Sequence, residues 1–197
     1  RDVYPSYRLE DYDVEIRFSP LDFAQVNAEI NRRMVRQALD WLAVEPGDRV
    51  LDLFAGLGNF SLPLARCAGS AGSVTAVEAD EAMVARGAQS AAANGIDNTR
   101  HVVGDLFEPD PTHGWLRESF DRVLLDPPRA GAGAMMPVIA RMKPRRLVYV
   151  SCHPGSLARD VGQLVHEHGW RLVAAGVMDM FPHTAHVESM AVLEPRR

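Results

Sequence analysis

Short apolar runs alternate along this chain with stretches of helical periodicity. From Asp48 onward the apolar runs fall at 50–54, 74–77, 101–103, 123–125, 147–150, 172–177 and 190–193. Between most of them lie stretches with helical spacing, such as 81–94 and 157–168, the latter apolar at 157, 161, 164 and 165. Strands that are apolar throughout and alternate with helices indicate a mostly parallel sheet covered on both faces. The last two runs are joined by a loop too short for a helical crossover, 178–187, so those two strands are expected to be antiparallel. Upstream, Val26, Ile30, Met34, Ala38 and Trp41/Leu42 recur at helical intervals, and this helix is expected to stop before Pro46-Gly47. Residues 1–22 are polar and acidic, with one expected strand at 14–18 ended by Ser19-Pro20. They read as an extension or linker, and 23–197 as one domain. A parallel six-stranded sheet with a final antiparallel seventh strand is the layout of the Rossmann-like methyltransferase fold, an α/β class.

In open α/β sheets, ligands bind outside the carboxyl ends of the strands. The first strand of the repeating unit runs into Asp52-Leu53-Phe54-Ala55-Gly56-Leu57-Gly58-Asn59-Phe60. Gly56 and Gly58 allow a sharp turn and close approach to a ligand. The third glycine of a dinucleotide fingerprint is replaced by Ser61. The second strand ends at Glu78, placed to accept hydrogen bonds from ribose hydroxyls. The third ends at Gly104-Asp105, where a carboxylate can take an adenine amino group. Together these features point to an adenosine-containing ligand, and the missing glycine favours S-adenosylmethionine over NAD.

The fourth strand ends in Asp126-Pro127-Pro128-Arg129. Its paired prolines make a stiff, extended loop. The fifth ends in Ser151-Cys152-His153-Pro154 just before a helix, a position that lowers a thiol's pKa and favours a nucleophilic thiolate. The antiparallel last strand must begin at this same edge, which brings Glu188 towards Cys152 as a general base beside a nucleophile. Cys67, inside an apolar helix, reads as inert. His153, His183 and His186 gather near the site with no metal-binding spacing.

The chain has 197 residues, 21 Lys+Arg against 26 Asp+Glu and a formal charge of −5, a balance that by itself speaks against nucleic-acid binding. Local patches matter more than the sum. Arg32, Arg33 and Arg36 share a helix face, and Arg141, Lys143, Arg145 and Arg146 form a second basic cluster, so either could meet phosphates. Two cysteines build neither a disulfide framework nor an all-cysteine metal site. With no signal peptide and no apolar run long enough for a membrane helix, a cytoplasmic protein without membrane contact is expected.

Phe23-Ala24-Gln25-Val26-Asn27, the Asp52–Phe60 segment, Asp126-Pro127-Pro128-Arg129, Val150-Ser151-Cys152 and His186-Val187-Glu188-Ser189 occur in this order in the RNA 5-methyluridine (uracil-C5) methyltransferases. The sequence resembles that family over about residues 14–195, and within it most resembles the bacterial 23S rRNA branch, with the tRNA branch as the alternative. The resemblance implies S-adenosylmethionine as cofactor and an RNA substrate, rRNA foremost; a monomer is expected. It implies Cys152 as nucleophile towards uracil C6, Glu188 as general base and Asp126 as a catalytic partner. It implies cofactor contacts from Gln25, Phe54, Gly56, Gly58, Asn59, Glu78, Asp105 and Asp126, and substrate contacts from Pro127, Pro128 and Arg129. The family has Asn where this chain has His153. Full-length relatives also carry an N-terminal RNA-binding module with a four-cysteine iron–sulfur site; no metal is expected in the present chain, which reads as the catalytic domain.

Other functions fit less well. Cytosine-C5 methyltransferases place their cysteine after the fourth strand in a Pro-Cys context, where this chain has Asp126-Pro127-Pro128-Arg129. Amino methyltransferases of the Asn-Pro-Pro-aromatic type have neither Asp126 nor Arg129 at those places. A cofactor-binding module without turnover has no use for both Cys152 and Glu188.

Overall fold

The structure, a computed structural model, describes residues 5–19, 28–178 and 187–196. Two short antiparallel strands, β1 (Ser6–Leu9) and β2 (Val14–Arg17), open the chain. They are followed by α1 (Ala28–Leu42), β3 (Arg49–Leu53), α2 (Ser61–Ala68), β4 (Ser73–Glu78), α3 (Glu81–Ala93) and β5 (Thr99–Val103). Then come β6 (Arg122–Leu125), α4 (Met136–Met142), β7 (Arg146–Ser151), α5 (Pro154–Glu167), β8 (Trp170–Met178) and β9 (Glu188–Pro195).

The strands β3 to β9 form one sheet in the order β5-β4-β3-β6-β7-β9-β8. β3 pairs in parallel with β4 and β6, β4 with β5, and β6 with β7. β9 is antiparallel to both of its neighbours, β7 and β8. This is the expected layout, with the last strand, β9, inserted between β7 and β8. The physical cause is burial on both faces: β6 and β9 are buried along nearly their whole length, and only the first residue of β3 is exposed.

Two apolar layers sandwich the sheet. One lies under α1, α2 and the β1–β2 hairpin, the other under α4 and α5. The amino-terminal segment holds two strands where the sequence pattern suggested one. Leu9, Val14 and Ile16 of that hairpin are buried in the first layer. Three such side chains contribute about 1.5–3 kcal/mol each, enough to pin the hairpin to the domain.

In α1 the buried face is Asn31, Met34, Val35, Ala38, Leu39 and Leu42. It is rotated slightly from the expected stripe, with Ile30 and Trp41 at its margin. The start of the expected helix at Val26 lies outside the described residues, as do most of the loop between β8 and β9 and the motif residues Phe23 to Asn27.

Candidate active site

The carboxyl ends of β3, β4, β6 and β7, together with the start of β9, surround one cavity of about 600 Å³. Its walls include Phe54, Gly56, Asn59, Glu78, Asp126, Pro127, Pro128, Arg129, Cys152 and Glu188. Ten residues named from strand ends and motifs thus converge on one space. Gly58 and Asp105 do not line it, although each is next in sequence to a residue that does, and Gln25 lies outside the described residues.

The loop after β3 makes the first wall. Phe54 takes φ +61° although it carries a side chain, and Gly56 and Gly58 take +54° and +93°. A non-glycine residue in the left-handed region is strained, and such strain persists where a site requires it. The turn swings the Phe54 ring edge-on to Phe107, 5.7 Å between centroids, on the cavity wall.

Glu78, at the end of β4, braces this loop. Its Oε2 accepts from the Gly56 N–H at 3.0 Å, and Oε1 accepts from the N–H groups of Ala79 (2.7 Å) and Asp80 (3.0 Å). A carboxylate oxygen accepts two hydrogen bonds, so Oε2 keeps capacity for a ligand hydroxyl. At the end of β5, Asp105 Oδ1 accepts from the amides of Phe107 (2.7 Å) and Glu108 (3.1 Å). It shapes the turn that sets Leu106 and Phe107 on the wall. Flat apolar surfaces from Met83, Leu106 and Phe107 beside an acidic strand end suit an adenosine group.

Several contributors were not legible in the sequence. Asn59 and Asn31 bond reciprocally through their amides, each at 3.0 Å, and the Tyr7 hydroxyl donates to Asn59 Oδ1 at 2.9 Å. The hairpin and α1 thereby orient an amide on the cavity wall. Asp52 is buried one step before the strained loop. Its Oδ2 accepts from the Ser61 hydroxyl, while Oδ1 has no partner among the described residues. Burial, with the Glu78 carboxylate nearby, pushes its pKa up to about 7. A lone acid in an otherwise apolar strand was the available signal for Asp52. Nothing marked Tyr7 or Asn31.

On the other side, Ser151 at the end of β7 is paired with Ser189 of β9, and the Ser189 hydroxyl donates to the Ser151 carbonyl at 2.9 Å. One step further along this register, Cys152 and Glu188 face the same cavity. Burial raises the Glu188 pKa. Asp126 is raised well above the ordinary carboxylate value by burial, then by Glu188 and Asp52. The Cys152 thiol also lies above its ordinary value, because of burial first, then the Glu188 and Asp126 charges, with Arg129 opposing. This corrects the expectation of a thiol lowered by the helix start. The helix begins at Pro154, so its dipole acts from two residues away and is outweighed by burial and then by the carboxylates.

His153 has a clear task. It is the N-cap of α5: its Nδ1 accepts from the Ser156 N–H at 3.1 Å, and its carbonyl accepts from the Ser156 hydroxyl at 2.9 Å. The ring nitrogen does what an Asn, Asp or Ser side-chain oxygen does at other helix N-caps. His183 and His186 lie outside the described residues. Among the described residues, no group of three or more His, Cys, Asp or Glu side chains is placed to hold a metal ion. Cys67 is partly buried in α2, and burial raises its thiol pKa.

The two basic clusters separate. Arg32 pairs with Glu10 (3.4 Å), Arg33 with Glu29 and Arg36 with Asp11. In the second cluster, Arg145 pairs with Asp48 and Asp121, and Arg146 with Glu194. Arg141 and Lys143 have no ion pair among the described residues.

Comparison with known proteins follows this geometry. The family model described as tRNA (uracil-5-)-methyltransferase matches residues 3–103 and 116–196. The 23S rRNA (uracil(1939)-C(5))-methyltransferase RlmD of Alkalilimnicola ehrlichii is 60% identical over 188 residues, 95% of this chain and 42% of that protein. Its counterpart in Xanthomonas campestris pv. campestris (strain 8004) is 53% identical over 196 residues, 100% of this chain and 44% of that protein. The chain therefore spans less than half the length of these relatives. The crystal structure of Pyrococcus abyssi tRNA (uracil-54, C5)-methyltransferase in complex with S-adenosyl-L-homocysteine aligns with TM-score 0.80 at 30% identity, covering 96% of this chain and 44% of that one. Thermus thermophilus TrmN, at 22% identity and TM-score 0.63, shares the fold. With the family model matching most of its length, this chain belongs to the tRNA (uracil-5-)-methyltransferase family.

Proposed function

We propose that this chain is the catalytic domain of an S-adenosylmethionine-dependent RNA uracil-C5 methyltransferase acting on 23S-type rRNA. The observation that carries this reading is the meeting of Cys152, Glu188 and Asp126 in the cavity whose other wall suits adenosine. Family membership and the identity to rRNA enzymes support it. The tRNA reading is the second one, supported by the structural likeness to the Pyrococcus abyssi enzyme.

The residues fit the cofactor. Phe54, Gly56, Asn59 and Glu78 would hold it, with Asp105 shaping the adenine side. Gln25, Gly58 and Asp126 complete the set that the family pattern names. Bound there, S-adenosylmethionine supplies an electrophilic methyl group.

The protein's own groups then act on the uracil. The base must leave its RNA stack to reach a separate cavity. Cys152 adds as thiolate to C6, forming an S–C6 bond and moving the C6=C5 electron pair onto C5 as an enolate. This makes C5 nucleophilic enough to take a methyl group. Glu188 next accepts the C5 proton. The C5–H electrons restore the double bond, the S–C6 bond breaks, and the thiolate is regenerated. Asp126 orients the uracil, and Pro127 and Pro128 stiffen the loop that presents Arg129 to it. The raised Cys152 pKa means that addition needs the thiol's proton removed first, and the neighbouring carboxylates are the available acceptors.

The reading is tested by incubating the chain with methyl-labelled S-adenosylmethionine and an rRNA fragment, then digesting the RNA to nucleosides. Label in 5-methyluridine is expected. Label in 5-methylcytidine or in a methylated amino group would overturn it.

A further inference from the structure

One buried carboxylate has no part in the chemistry above. Asp160 of α5 is fully buried, yet it is one of the most heavily bonded groups in the molecule. Its Oδ2 accepts from the Tyr149 hydroxyl at 2.7 Å and from the Ala132 N–H at 2.7 Å. Its Oδ1 accepts from Arg159 Nε at 2.8 Å and lies 2.7 Å from Arg159 Nη2. The same Nη2 donates to the Ala130 carbonyl at 2.8 Å. A buried carboxylate is costly unless its lone pairs are filled, and here four donor contacts fill them.

The loop atoms in this network, the Ala130 carbonyl and the Ala132 N–H, belong to one turn and the residue that follows it. Gly131 N–H donates to the Pro128 carbonyl at 2.8 Å, closing a tight turn with Arg129 and Ala130 at its centre. Gly131 takes φ +83°, and a Cβ there would lie 2.5 Å from Arg159 Nη2 and 2.6 Å from Asp160 Oδ2. The turn is therefore seated against the Arg159–Asp160 pair with no space for a side chain. It leads directly from Asp126, which is itself tied to β3 by its N–H to the Leu53 carbonyl at 3.3 Å. Arg129, at the turn's centre, lines the Cys152 cavity and opposes the carboxylates acting on the thiol.

We propose that Asp160, Arg159 and Tyr149 form a positioning unit that holds the Pro128–Gly131 turn so that Arg129 stays beside Cys152. Its importance for turnover rests on reading this cavity as the site of the cysteine chemistry. Arg159 grips by geometry: its planar fork reaches Asp160 and Ala130 together, which a lysine ammonium cannot reproduce. Tyr149 keeps its proton for the bond, since burial and Asp160 push its pKa above the ordinary value.

The test uses the chain with Cys67→Ser, which leaves Cys152 as its one thiol. The rate of alkylation by iodoacetamide is measured against pH for this parent and for Asp160→Asn, Arg159→Lys and Arg159→Ala, with melting curves alongside. Asp126 is held by β3, whereas Arg129 is held by the clamp. Releasing the clamp therefore removes the cation and keeps the carboxylates. The alkylation midpoint is expected to move up by about half a pH unit or more in all three variants. Formation of a covalent adduct with 5-fluorouridine RNA is expected to slow tenfold or more, with the affinity for S-adenosylmethionine within threefold of the parent.

A midpoint unchanged in folded Asp160→Asn and Arg159→Lys would overturn the proposal. So would an Arg159→Lys protein that behaves as the parent, since charge alone would then suffice. If Asp160→Asn does not fold, Arg159→Lys carries the test, because its altered side chain is 59% exposed. A parent that forms no adduct while the midpoints still shift would leave the clamp standing and refute the chemical reading of the cavity.

Discussion

Asp52 shows how a single residue connects stability to the site. In the folded chain its pKa stands near 7, against about 3.9 in an unfolded one. A folded value above the unfolded value means that ionisation opposes folding. The stabilising contribution is complete below about pH 4 and is lost as pH rises towards and through 7. Asp52→Asn removes this titration while keeping an acceptor for the Ser61 hydroxyl. Relative to the parent, its melting temperature should be higher by several degrees at pH 8, and this advantage should fall to less than half by pH 5. A difference that does not vary with pH would show that Asp52 is ionised throughout. At this scale the sequence was informative about position and poor about environment. Cys152 and Glu188 could be placed on one edge by topology alone. The direction of the Cys152 shift could not, because it depends first on how deeply the fold buries the sulfur and then on how close two carboxylates from other strands come to it.

Among the elements, α5 carries the clearest consequence. Its N-cap is His153, whose Nδ1 takes the Ser156 amide, and Cys152 is the residue just before it. His153→Asn should preserve the cap. His153→Ala should lose about 1 kcal/mol, or roughly 2–4 °C in melting temperature for a domain of this size. Equal melting temperatures for the alanine variant and the parent would contradict the capping role. The elements themselves were readable because both periods were strong: apolar runs for the strands, buried on two faces in β3, β4, β6, β7 and β9 though not in the edge strands β5 and β8, and the 157–161–164 stripe for α5. The β1 strand was not readable. Its alternation is short and polar, and its end at Leu9 is buried only because the hairpin folds back onto α1. Asn31 escaped for a related reason. A polar residue on a buried helix face becomes intelligible only when its partner, Asn59, is seen across the interface.

For the molecule as a whole, the net charge of −5 is a poor guide to its partners. Much of the acidic surplus is accounted for inside, by Asp48, Asp52, Asp160 and Glu188, or at paired surface arginines such as Arg36 and Arg145. Arg141 and Lys143 form no ion pair among the described residues. If they meet RNA phosphates, the double variant Arg141→Ala/Lys143→Ala should flatten the dependence of log affinity on log salt by about 1.5–2 in slope. Arg32→Ala/Arg33→Ala, which removes cations already paired, should leave the slope close to that of the parent. The opposite ranking would assign the RNA face to α1. The central claim concerns one bond, between Cys152 and C6 of a uracil, and it is tested most directly by trapping it. RNA carrying 5-fluorouridine blocks release, since fluorine at C5 cannot leave as a proton. With S-adenosylmethionine present, the chain should form an adduct with this RNA that survives denaturation and maps to Cys152, and Cys152→Ala should form none. An adduct that persists in Cys152→Ala, or methyl transfer by that variant, would contradict the account.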